Sequence, residues 1–176
     1  IDILEIRINS SGGFVHYGMG LVNVMEDNFF ERTITVIDHI AASMAAFIFL
    51  KGYNRLVYPS SNLMFHSTSM GVFGKISEIR DRVEHEKLWN NTFLHSILKG
   101  YFTKKEIETI IEGKDVWLDC VEMCKRGIAT DVVLPNKEII SAKEYLEEHC
   151  GIKEKKPKRK TRKKKSKKKE ESDDNS

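Results

Sequence analysis

Three side chains of the types used in acyl chemistry stand in settings that leave them reachable. Ser43 lies in Ile40-Ala41-Ala42-Ser43-Met44-Ala45-Ala46, where a strand gives way to a helix and small neighbours leave the hydroxyl open. A hydroxyl at such a turn gains twice, because a helix N-terminus favours negative charge and its backbone N–H groups are free to bind an oxyanion. His66 directly follows the apolar run Leu63-Met64-Phe65, which puts an imidazole at the end of a sheet strand, where ligands bind in open α/β folds. Asp115, in Glu112-Gly113-Lys114-Asp115-Val116-Trp117, falls in a loop between two capped helices and is able to aim a carboxylate at such a histidine. Taken singly, each has a plain structural reading: a small residue in a packed helix, a satisfied core histidine, a turn residue.

The elements that must position them follow from periodicity. Ile1 to Ile8 alternates apolar and polar residues and stops at the turn cluster Asn9-Ser10-Ser11-Gly12-Gly13, after which Val15, Met19, Val22 and Met25 recur at helical spacing. Thr33 to Ile37 is β-branched and short, and the polar pair Asp38-His39 is expected to break it before a helix from Ile40 to Leu50, with Gly52 as its C-cap. Arg55 to Tyr58 and Leu63 to Phe65 read as strands separated by Pro59-Ser60-Ser61-Asn62. A loop through Gly71 and Gly74 precedes the longest helical pattern, with Ile76, Ile79, Val83, Leu88, Leu94 and Ile97 on one face. Thr103 with Glu106, Asp119 with Glu122 and Ser141 with Glu144 have capping-box spacing. The recurring β-α order predicts an α/β domain with a mostly parallel sheet over residues 1–152.

Composition narrows the class. The chain has 176 residues and a formal net charge of +3, but residues 153–176 carry 13 Lys/Arg against 5 Asp/Glu, so the body is acidic. An acidic body does not read as a nucleic-acid binder, and contact with a polyanion falls to the tail alone. That tail has nothing apolar to bury and is expected to be disordered; without aromatic residues it has no stacking platform for sequence-specific recognition. The longest apolar stretch, Ile40 to Leu50, is 11 residues, well short of the ~20 a membrane span requires. Cys120, Cys124 and Cys150 are an odd count with no metal-ligand spacing, which argues against a disulfide framework and a zinc site and for a reducing, cytoplasmic setting. The chain opens inside a strand pattern with no initiator methionine, so a preceding N-terminal part is expected, where any sorting signal would lie.

Four separated segments, in order, carry a resemblance: Ile8-Asn9-Ser10-Ser11-Gly12-Gly13, then Ala41-Ala42-Ser43-Met44-Ala45-Ala46, then Pro59 to His66, then Asp115 twelve residues before Gly127. From about Ile3 to Val133 the chain resembles the ClpP family of serine peptidases, with that family's Asn-Ser-Pro-Gly-Gly turn, Ala-Ala-Ser-Met nucleophile segment and Asn-to-His strand. Gly127-Ile128-Ala129-Thr130-Asp131 echoes its Gly-Leu-Ile-Asp motif with one extra residue. The resemblance implies a crotonase-like α/β spiral of β-α units. A protruding handle, at Gly71, Gly74 and the long helix, would let seven-membered rings stack face to face around a chamber. The apolar residues there, Val72, Phe73, Leu88, Trp89, Phe93 and Leu94, exceed what one exposed helix and loop carry, so they pack either on another copy or within the subunit.

The resemblance further implies a triad of Ser43 as nucleophile, His66 as base and Asp115 as the residue that fixes the imidazole tautomer, with the backbone N–H groups of Gly13 and Met44 as the oxyanion hole. A side chain at the glycine pair would block that backbone approach. The implied activity is hydrolysis of unfolded polypeptide through an acyl-enzyme, without metal or organic cofactor. An ATP-driven AAA+ unfoldase would be a separate partner, because this chain has no Gly-x-x-x-x-Gly-Lys-Ser/Thr loop. Three departures stand out: Ser11 replaces the turn's usual proline, Ser67-Thr68 replaces the usual Gln-Pro, and His39 stands where the family has glycine, four residues before the nucleophile. With the lysine-rich tail they suggest a divergent, phage-type branch. They also keep open an inactive ring scaffold and a head-maturation protease that works without an unfoldase. A crotonase-type acyl-CoA hydratase is the reading from another chemistry, and it would leave Ser43, His66 and Asp115 as coincidences.

Overall fold

A single long strand organises the fold. In a computed structural model that describes residues 2–152, the elements run β1 (Leu4–Ser10), α1 (Val15–Phe29), β2 (Thr33–Ala42), α2 (Met44–Leu50), β3 (Asn54–Val57), β4 (Asn62–Phe65), α3 (Ile76–Leu98), α4 (Lys104–Ile111), β5 (Val116–Asp119), α5 (Cys120–Lys125), β6 (Asp131–Val133), β7 (Ile139–Ser141) and α6 (Ala142–Glu148). They form a seven-stranded sheet ordered β5-β4-β2-β3-β6-β7, with β1 also paired to β2. All pairings are parallel except β4 with β5 and β6 with β7. The expected α/β order is present. The lysine-rich tail at 153–176 lies outside the described residues.

The expected break at Asp38-His39 is not there. β2 continues through both residues to Ala42, and the helix expected from Ile40 starts only at Met44. Tertiary pairing explains this, because Ile40, Ala41 and Ala42 align with Asn62, Leu63 and Met64 of β4. Asp38 keeps its charge at the surface, paired with Arg7 of β1. The register with β1 slips between Ile8 and Ser10, which absorbs the extra length of β2.

β2 changes neighbours along one side. Its first half pairs with β3 through Ile37 and Val57, and its last residues pair with β4. The gap between them is filled by Ser61, 1% exposed, whose hydroxyl donates to the Ile37 carbonyl at 2.7 Å and accepts from the Tyr58 N–H at 2.9 Å. Buried backbone groups need such partners.

The helices bury what their periodicity predicts. α1 turns Gly18, Val22 and Met25 inward, while α2 is buried almost all round. Phe47 of α2 meets Phe65 and Phe93 with ring centroids 5.5 and 5.0 Å apart, and Phe65 meets Phe102 at 5.5 Å. α3 has 23 residues, ~34 Å at helical rise, yet its buried residues are Asn90, Phe93, Leu94 and Leu98 at one end. The other end projects, with Leu88 69% and the preceding Phe73 100% exposed. Packing within the subunit therefore holds for Phe93 and Leu94, while Leu88 and Phe73 are uncovered in the single chain. Among the described residues no helix is long and apolar enough to cross a membrane.

Capping spacings read from the sequence are realised: Thr103 and Glu106 close a reciprocal box, Asp119 accepts the Glu122 N–H, and Ser141 accepts the Glu144 N–H. Glu106 also accepts from Arg126 at 2.8 Å, tying α4 to the end of α5. Arg126 first, then Thr103, hold the Glu106 carboxyl at about 2 against an ordinary 4.5.

Two predictions follow from these bonds. Ser61→Ala strands a buried carbonyl and a part-buried N–H, so it should cost about 2 kcal/mol, a Tm drop of roughly 4–8 °C by calorimetry; an unchanged Tm would remove Ser61 from this role. For Glu106, a depressed carboxyl stabilises the fold above its unfolded value, and that stability is lost as pH falls from about 4.5 to about 2. Urea unfolding of Glu106→Gln against wild type should show a gap of up to about 1 kcal/mol at neutral pH that closes across this window, small because the pair is partly exposed.

Candidate active site

Ser43 sits in the junction between β2 and α2 with φ 56° and ψ −129°, a conformation a β-carbon disfavours at about 1–3 kcal/mol. Two backbone bonds hold it there: its N–H donates to the Met64 carbonyl of β4 at 3.0 Å, and its carbonyl accepts the Ala46 N–H at 3.0 Å to open α2. The side chain is half-buried. The strain is thus maintained by the sheet on one side and by a fully packed helix on the other.

The turn after β1 lies against this junction. Gly12 has φ 107° and takes an N–H bond to Ser10 Oγ at 3.1 Å. A β-carbon on Gly12 would stand 2.6 Å from Ser43 Cβ and 3.1 Å from Ser43 Oγ. Gly13 differs, since a β-carbon there meets nothing within 4 Å. The expected need for a glycine pair therefore resolves onto Gly12, which requires the absence of a side chain, while Gly13 faces open space. Met44 is the first residue of α2, where helical N–H groups lack intrahelical partners.

His66 stands one residue beyond β4 and Asp115 one residue before β5. Asp115 is in the expected loop, which leads directly into β5, a strand antiparallel to β4 that the sequence did not reveal. Their register pairs Asn62 with Asp119 and ends with Phe65 opposite Val116, so His66 and Asp115 flank the last paired residues of the two strands. Ser43, past the end of β2, is bonded to Met64 two residues before His66, so Ser43, His66 and Asp115 lie at the same end of β2, β4 and β5. His66 is half-buried and Asp115 exposed. Among the described residues no hydrogen bond joins the three side chains; catalytic bonds are often loose without substrate. His39 is exposed on β2, where the strand bulges against β1.

A cavity of about 830 Å³ shares Gly13 with the turn beside Ser43, while Ser43, His66 and Asp115 are not among the residues that line it. Gly13, Val15 and Met19 line one wall, and Thr68 to Gly71, the loop leaving His66, line another. The third wall is one face of α3, from Phe93 and Trp89 out to Glu86, His85 and Arg82. Asn90, 8% exposed, accepts from both the N–H and the hydroxyl of Thr68, at 3.2 and 3.1 Å, and so pins the loop to α3. Sequence reasoning missed Asn90, Glu86 and the cavity; an amide between Trp89 and Phe93, at the apolar end of a charged helix, was the available signal for Asn90. Cys120 and Cys124, on α5, and Cys150, past α6, are free thiols outside this site. Among the described residues no group of three His, Cys, Asp or Glu side chains has the geometry to hold a metal.

The family model described as Clp protease matches residues 2–137. The chain is 27% identical over 134 residues to ATP-dependent Clp protease proteolytic subunit 3 of Streptomyces avermitilis, covering 74% of this chain and 60% of that protein. It is 31% identical over 135 residues to proteolytic subunit 1 of Salinibacter ruber, covering 74% and 56%. Against proteolytic subunit 1 of Streptomyces coelicolor it is 28% identical over 132 residues, covering 73% and 59%. The chain thus spans less than two thirds of the length of these relatives. The curled, mixed sheet with its helices fits the ClpP fold.

The contrast between the two glycines is testable in the fold itself. Gly12→Ala meets both a left-handed φ and the Ser43 side chain, so it should cost more than about 1 kcal/mol and lower Tm by at least ~3 °C. Gly13→Ala should stay within about 2 °C of wild type in the same thermal scans. Equal losses at both positions would refute the close approach of Gly12 to Ser43.

Proposed function

Because the chain belongs to the Clp protease family, we propose that it is a serine endopeptidase subunit of the ClpP type, acting on unfolded polypeptide inside an assembly of stacked seven-membered rings. One observation supports this most: a strained serine at the end of β2, bonded through its N–H to the strand that leads to His66, whose antiparallel neighbour begins after Asp115.

In this reading Ser43 Oγ attacks the scissile carbonyl while His66 takes its proton, and Asp115 keeps the imidazole in the receptive tautomer. The N–H groups of Gly13 and Met44 bind the oxygen as it becomes an oxyanion. The C–N bond then breaks, His66 returns the proton to the leaving amine, and an ester to Ser43 remains. Water, deprotonated by His66, attacks the ester, releases the carboxylic acid and regenerates Ser43. The peptide occupies the cavity between α1 and α3. The projecting end of α3, with Ile76, Leu88 and the adjacent Phe73 exposed, packs on neighbouring copies, as unpaired apolar surface of this extent favours. ATP hydrolysis belongs to an AAA+ unfoldase partner.

A second reading, an inactive ring scaffold, is favoured by the absence of hydrogen bonds among the three side chains. Fluorophosphonate labelling of the full-length protein, read by intact mass beside sedimentation velocity, separates the two. Wild type should take up one label, mapped to the Ser43 peptide, and Ser43→Ala none. His66→Ala should label at least about 10³-fold more slowly, and Asp115→Asn should lose roughly 10⁴-fold in peptide turnover. A ring that forms without labelling sinks the peptidase and leaves the scaffold.

A further inference from the structure

The face that α3 turns to the cavity changes character along its length. Arg82, His85, Glu86, Trp89 and Phe93 are spaced by three and four residues, so they share one side of the helix. Its apolar end is anchored: Trp89 stacks on Phe93 with centroids 4.6 Å apart, and Phe93 meets Phe47, four residues past Ser43 on α2. One turn further out stands Glu86, half-buried. Val15 and Met19 form the opposite wall, and among the described residues Glu86 has neither a hydrogen bond nor an ion pair. The other ionisable groups on the cavity are His16, His85 and Arg82, all exposed and likewise without a partner among the described residues. A carboxylate held partly out of water beside apolar walls is stabilised by a cation brought to it.

We propose that Glu86 selects a lysine or arginine side chain of the substrate polypeptide, two residues from an apolar side chain seated against Trp89. The spacing comes from the two lattices that meet in the cavity. Glu86 lies ~4.5 Å along the helix axis from Trp89, and an extended peptide presents side chains on one face every ~6.6 Å; the reach of a lysine side chain closes the difference. The inference rests on the cavity being the polypeptide site of the proposed peptidase and adds a sequence preference to it.

The test uses the full-length assembled protein and peptides that carry an aromatic anchor and, at each neighbouring position in turn, lysine, its uncharged isostere norleucine, or glutamate. Two readouts run together: kcat/KM for wild type, and binding by fluorescence anisotropy to Ser43→Ala, which needs no chemistry. At one position, two from the anchor, lysine should be favoured over norleucine by about tenfold. Glu86→Gln, which keeps the side-chain shape, should bring that ratio to near one, and Glu86→Lys should favour glutamate, while the norleucine peptide binds all three alike. A lysine-to-norleucine ratio that is the same in wild type and Glu86→Gln overturns the proposal, even where cleavage is robust. If no peptide is cleaved but the binding ratio still depends on Glu86, the preference stands and the peptidase reading falls.

Discussion

The position of every residue at the candidate site depends on a branch inside the sheet, where β2 leaves β3 and takes up β4. Parallel pairing alone would leave the Ile37 carbonyl without a partner at that point, in the part of the sheet where Ile37 and Val57 are fully buried. Ser61 closes the gap from within the turn between β3 and β4. One hydroxyl thereby fixes where β4 begins relative to β2, and so which carbonyl faces the Ser43 N–H. The strain at Ser43 is then a consequence of two rigid bodies meeting, a sheet whose register is set and a helix buried on nearly all sides. A surface loop has neither, and would relax such a φ.

How far the sequence anticipates this depends on the range of the interactions. Helix starts at Thr103, Asp119 and Ser141 were legible because each cap side chain accepts a backbone N–H only three residues on, a purely local bond. The end of β2 was not, since Ile40-Ala41-Ala42 carries residues that favour a helix, and only pairing with β4, some twenty residues away, makes them a strand. β5 was invisible for the same reason. Val116 to Asp119 is four residues long, with no alternation to distinguish it from a loop, and its identity as a strand comes from β4. Ser43 was found from its small neighbours at a strand-to-helix transition and His66 because it ends a local apolar run; that Asp115 lies at the same end of the sheet is a product of the antiparallel register of β4 and β5.

The glycine turn shows a finer version of the same limit. From the sequence, Gly12 and Gly13 form a symmetric pair, and either fits the argument that a backbone must come close. The structure separates them by what lies beyond each α-carbon: the Ser43 side chain in one case and the cavity in the other. Composition identifies a turn, but the direction of each Cα–Cβ bond decides which glycine is obligatory, and that direction is set by the φ of the turn and by the approach of β2.

α3 joins the site to the outside of the molecule through its buried end alone. An isolated stretch as long as its projecting part is marginal in water, so that part borrows its helicity from the turns anchored by Phe93, Leu94 and Leu98. Asn90 lies in the first of those anchored turns and holds Thr68 by two hydrogen bonds, two residues after His66. The backbone that carries the imidazole is therefore fixed between β4 on one side and the root of α3 on the other. Displacement of the projecting tip bends a helix at its exposed end, but a change at Asn90 moves the loop that His66 leads into, which makes the root of α3 a structural part of the site.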